Sequence, residues 1–86
     1  MAEYEILHRE TGSWGEHDEY WTLVVPKNGA PVVRCDRSWG NPYKGEVEYS
    51  PPEITPLKDF LAEHTFGSLH DRLASLLREK GIKVDA

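Results

Sequence analysis

Four histidines and a single cysteine are the residues of this chain best suited to chemistry. His17 opens the run His17-Asp18-Glu19, which sets an imidazole beside two carboxylates, ligand types for zinc and partners for acid–base work. The spacing matches no established site. A helical H-E-x-x-H motif places its histidines one turn apart, whereas His64 and His70 are six apart and straddle an expected helix break. His8 alternates with Tyr4 and Ile6 on a strand face expected to point inward, where a histidine is a hydrogen-bonded core residue. Cys35 has no second cysteine to pair with and is expected to face the core, where thiols are inert. The chain contains no G-x-S-x-G, no P-loop and no dinucleotide fingerprint. No catalytic residue, metal ligand or cofactor is therefore expected, and the chain reads as a non-enzyme.

Recognition is better represented than catalysis. Ser13-Trp14-Gly15 recurs as Ser38-Trp39-Gly40, and Arg9 and Arg34 each stand four residues before the serine. A tryptophan on a glycine-hinged loop can anchor a protein interface or stack on a ligand; it can equally fold back to cap a small core. Both segments are read as loops, the first spanning residues 10–18 and the second running on through Tyr43. They would lie at one end of an antiparallel sheet because the strands before them run in the same direction. The matched stretch is too short to argue for duplication.

Charge is concentrated rather than spread. Residues 1–20 hold Glu3, Glu5, Glu10, Glu16, Asp18 and Glu19 against Arg9 alone, which accounts for the whole net charge of −5. An acidic surface repels nucleic acid and anionic membranes and attracts basic protein surfaces. Strand alternation puts Glu3, Glu5, Glu46, Glu48, Tyr20 and Arg34 on one outer sheet face. Such a face could occupy a cationic groove, or could simply be solvated and protect edge strands from aggregation.

These residues need a scaffold that 86 residues can build as one domain with one core. No apolar run approaches the roughly 20 residues that span a bilayer, and the glutamate-containing start lacks the pattern of a signal peptide, so the expected location is the cytoplasm with no membrane contact. Strands are expected at 3–9, 19–25, 31–37 and 46–49, with Asn28-Gly29 as a tight hairpin. After Pro51-Pro52 the period changes to that of helices. Thr55-Pro56 reads as an N-cap and first turn, Ser68 with Asp71 as a second start, and Gly81 as a stop. Leu57, Phe60 and Leu61 lie on a stripe about 150° away from that of Leu69, Leu73, Leu76 and Leu77, so two helices broken at Gly67 are expected. The resulting architecture is α+β: a three- to four-stranded antiparallel sheet from residues 1–50, packed on one face by one or two C-terminal helices from residues 55–81. The expected core adds Tyr4, Ile6, Trp21, Leu23, Val25, Val33, Cys35, Val47 and Tyr49 to the helical leucines and Phe60.

Together these features imply a small acidic protein that binds and occludes a basic surface of a partner protein. Trp14, Trp39, Tyr43 and Tyr20 would be its anchors, and Glu3, Glu5, Glu16, Asp18, Glu46 and Glu48 its steering charges. In size and charge alone it is similar to small inhibitors carried by phages and mobile elements, anti-CRISPR proteins among them, which block nucleic-acid-binding complexes. A second reading is a small-ligand module or modest hydrolase built where the Trp14 and Trp39 loops meet around His17, Asp18 and Arg34. A helix-turn-helix contacting DNA directly is disfavoured, because residues 51–86 hold five bases against six acids.

Overall fold

Trp21, Leu23 and Val25 alternate with Tyr20, Thr22 and Val24, the pattern of a strand with one face on a core, and the strand they form lies inside the sheet. The computed structural model describes residues 1–41, 43 and 45–82. Its strands are β1 (Ala2–Thr11), β2 (His17–Val25), β3 (Val32–Asn41), β4 (Glu46–Tyr49) and β5 (Glu53–Pro56); its helices are α1 (Leu57–Glu63) and α2 (Ser68–Lys80). All pairings are antiparallel. The order is β1-β2-β3, and the far edge of β3 is shared: β4 pairs its C-terminal end and β5 its N-terminal end. Between them Ser50 N–H donates to the Arg37 carbonyl at 3.0 Å. The expected α+β fold is present, with a fifth strand.

Both helices cover the sheet face that carries Leu23 and Val33, α2 against β1 and α1 against β3 and β5. Leu23, Val33, Leu57, Phe60 and Leu73 are almost fully buried there, with Trp21, Tyr4, Val25, Leu61 and Leu76 packed around them. The Phe60 ring lies 5.7 Å from that of Trp21 and 4.3 Å from that of His64. Cys35 is buried beside Trp21 on the same face.

One irregularity decides much of the surface. The β1–β2 register shifts between Glu5 and Leu7, so that Glu5 pairs Thr22 and Leu7 pairs Trp21, leaving Ile6 as an extra residue. In such a bulge two consecutive side chains take the space opposite one, and the alternation downstream is inverted. Ile6 and Leu7 are consequently both buried, whereas His8, expected inward, pairs with Tyr20 on the helix-free face and is exposed.

Other boundaries also depart from the sequence reading. The first loop contracts to residues 12–16, and β3 runs through the second SWG segment instead of stopping before it. The β2–β3 connection spans 26–31, longer than a tight hairpin, and Gly29 alone takes a positive φ, 143°. Thr55 does not cap α1: it sits in β5 opposite Val33, and Leu57 N–H instead donates to the Pro31 carbonyl at 3.0 Å. Ser68 is the first residue of α2 rather than its cap, which is Gly67 at φ 105°. Gly81 ends α2 as expected, in a left-handed conformation with φ 65°. Among the described residues no helix is long and apolar enough to cross a membrane.

Candidate binding face and a cross-strand cluster

The two SWG segments lie at the same end of the sheet in different settings. Ser13-Trp14-Gly15 forms the β1–β2 turn, where Gly12 and Gly15 adopt φ values of 96° and 68°. The Glu16 carboxylate folds back over this turn and accepts the Trp14 N–H at 2.8 Å. It lies so close to Gly12 that a Cβ there would stand 2.5 Å from its carboxyl carbon. Backbone hydrogen bonds, first from its own N–H and then from that of Trp14, hold the Glu16 carboxyl below the usual carboxylate range. The Trp14 ring is 72% exposed. Ser38-Trp39-Gly40, in contrast, is mid-sheet: Trp39 pairs His17 on one side and Glu48 on the other. Its ring is half-buried and stacks on His17 with centroids 6.1 Å apart. Gly40 N–H donates to the Glu16 carbonyl at 2.7 Å, tying the second segment to the end of the first turn. Tyr43, in the β3–β4 connection, is 88% exposed at this same end.

The remaining recognition residues divide between faces. Glu3, Glu5, Tyr20 and Arg34 share the helix-free face through the pairs Glu3–Val24, Glu5–Thr22 and Thr22–Arg34. Glu46 and Glu48 do not join them; opposite Asn41 and Trp39 they stand on the other face. EVEY alternates as expected but with its faces reversed, so that Val47 and Tyr49 are exposed on the helix-free face rather than in the core. That face thus displays Tyr20, Val47, Tyr49 and Ile54, exposed by 40, 54, 79 and 62%. Val24 is buried there between Glu3 and Val32. Sequence reasoning missed Val47, Tyr49 and Ile54 as surface residues, and also missed Phe66, 86% exposed between the helices.

Charge on the two faces is partly self-compensated. On the helix-free face Arg34 bridges Glu3 at 2.6 Å and Asp36 at 2.9 Å, and the Asp36 hydrogen bond, with that of Glu3, raises its pKa. On the helix face Arg37 bridges Glu19 and Glu53 at 3.2 and 3.0 Å and stacks over the Trp21 ring, whose indole N–H donates to Glu19. Glu5 stands at the free edge of β1, where it lines an open groove of about 320 Å³ against Ser75 and Leu76 of α2.

A cluster that the sequence reading did not assemble also lies on the helix-free face. His8 and Glu10 alternate along β1, and Glu10 pairs directly with Asp18 of β2. One ligand atom from each of the three lies within 4.8 Å of the other two. The His8 ring stacks on Tyr20, centroids 4.1 Å apart and planes 3° from parallel, and its Nε2 is 3.0 Å from Asp18 Oδ1. The constellation of His17, Asp18 and Arg34 is not formed. His17 pairs Trp39 on the helix face and Asp18 pairs Ser38 on the opposite one, while Arg34 is held by Glu3 and Asp36. Burial pushes the Cys35 thiol up to about 11, so little thiolate forms at neutral pH.

No protein-family model matches the chain, and no curated protein or solved structure matches it.

Proposed function

We propose that this protein binds a partner protein through its helix-free sheet face and occludes a basic surface of that partner, acting as an inhibitor of a nucleic-acid-binding complex. The observation that carries the reading is the exposure of Tyr20, Val47, Tyr49 and Ile54 on a face left uncovered by both helices. Solvent-facing aromatic and branched side chains grouped on one surface mark interaction sites more often than scattered single residues do. Carboxylates accompany them: Glu5, Glu10 and Asp18 occupy the same face, and Glu16 and Trp14 stand at its end. Tyrosines supply rigid contact area, and the carboxylates raise the rate of encounter with a cationic surface.

The test is site-specific photo-crosslinking in lysate of the source organism or its host, with the crosslinker at position 49 on the face or at position 75 on α2. A basic protein captured from position 49, lost with Tyr20→Ala, and associating more slowly as salt is raised supports the reading. Equal capture from both positions, or association indifferent to salt, removes it.

A further inference from the structure

We infer that His8, Glu10 and Asp18 form a binding site for a divalent transition-metal ion, with zinc the ion its donors suit. The site is built by the β1 bulge: without the register shift between Glu5 and Leu7, His8 would face the helices and could not reach Asp18. With it, one imidazole and two carboxylates converge from adjacent strands, and the chosen ligand atoms lie within 4.8 Å of one another. Ligands about 2.0–2.2 Å from a tetrahedral zinc ion stand about 3.3–3.6 Å apart. The His8–Asp18 separation of 3.0 Å is already close to that spacing. Rotation of the Glu10 side chain, which is exposed to solvent, supplies the rest.

Two further observations point to a cation. Glu10 and Asp18 are directly opposed across the strands, an arrangement of like charges that costs stability unless a positive charge intervenes. Among the described residues neither lies within ion-pair distance of a lysine or arginine, in contrast to Glu3, Glu19, Asp36 and Glu53. The imidazole, meanwhile, is held in place before any ion arrives, because its ring is stacked flat on Tyr20. A ligand with a fixed ring loses less freedom on binding, the role outer-shell partners play at metal sites. Three protein ligands at an exposed position leave the remaining coordination to water.

The measurement is calorimetric titration of the chelator-treated full chain with zinc chloride, accompanied by cobalt(II) absorption to report coordination geometry. One equivalent bound, with at least a tenfold loss of affinity in His8→Ala and in Asp18→Asn and no loss in His17→Ala, is expected. Glu10→Gln, at an exposed position, keeps the test decisive should His8→Ala fail to fold, and it too should weaken binding about tenfold. Absence of saturable binding overturns the site. So does zinc binding that survives Glu10→Gln and Asp18→Asn but is lost with His17→Ala, which would place the ion on the helix face.

Discussion

Ser13-Trp14-Gly15 and Ser38-Trp39-Gly40 are the same three residues under two opposite constraints. The first is a turn whose backbone requires glycine and whose tryptophan is 72% exposed; the second is a strand whose tryptophan is half-buried against His17 and whose glycine has an ordinary φ. What separates them is the neighbour. β1 ends at Thr11 and must reverse within residues 12–16, whereas β3 continues to Asn41 because β4 pairs with it as far as Glu46. A local motif therefore does not determine its own conformation. The pairing available on either side does, and with it whether a tryptophan is packed into the fold or left in solvent.

The largest expected difference between the two segments is in stability. Trp39→Ala removes a half-buried ring and its contact with His17, and should cost about 2 kcal/mol, below the range for a fully buried aromatic. Trp14→Ala should shift stability by no more than about 0.5 kcal/mol. Urea unfolding of both variants measures this, and equal midpoints would mean that the two tryptophans share one role. Under the proposed function the order reverses for partner binding, because Trp14 is the ring that is accessible.

The glycines sharpen the same contrast with a smaller effect. Gly12→Ala places a methyl group against the Glu16 carboxylate and forces a residue with a side chain to φ 96°, and should cost about 1–2 kcal/mol. Gly15→Ala, at φ 68° and with a Glu10 carboxylate oxygen at an ordinary contact distance of 3.6 Å from the added methyl, should cost about 1 kcal/mol through backbone strain alone. Gly40→Ala meets nothing closer than the Glu16 carbonyl at 3.8 Å and should be close to neutral. Thermal unfolding of the three variants orders them. A Gly40→Ala cost equal to that of Gly12→Ala would show that the strand setting of the second segment is wrong.

The sequence made the helical layer legible because it depends on nearby residues. The opposed leucine stripes required a break at Gly67, and Gly81 alone could supply the left-handed stop. The strand cores of β2 and β3 were legible from alternation, which put Leu23, Val33 and Cys35 inside. Alternation states which residues share a face but not which face is covered, so it leaves open the side of Val47 and Tyr49, which the register sets outside the core. β5 was hidden for a related reason: Glu53–Pro56 is short, follows two prolines, and extends only because β3 offers an edge to it. The cluster at His8 was the least legible. Strict alternation along EYEILHR puts Ile6 and His8 on one face and Leu7 on the other, and only the bulge, which admits both Ile6 and Leu7 to the core, turns His8 toward Asp18. A run of two consecutive apolar residues in an otherwise alternating strand was the available signal.

The smallest expected effect isolates what holds the first segment in its turn. Glu16 has its carboxyl pKa depressed by backbone hydrogen bonds, its own N–H and then that of Trp14, which only the ionised form accepts well. A group depressed in the folded state contributes in full above its unfolded value, about 4.3 for glutamate, and loses that contribution as pH falls through the lower folded value. The Trp14 amide resonance should therefore hold its position from pH 7 to about pH 5 and move only below the ordinary carboxylate range. In Glu16→Gln the same resonance should already be displaced at pH 7 and should lack that acid transition, while the Gly40 amide, which donates to the Glu16 backbone carbonyl and not to its side chain, should keep its protection from exchange in both proteins. Movement of the Gly40 amide in step with that of Trp14 would show that the carboxylate braces both segments together, and that the turn and the strand are a single unit rather than two uses of one motif.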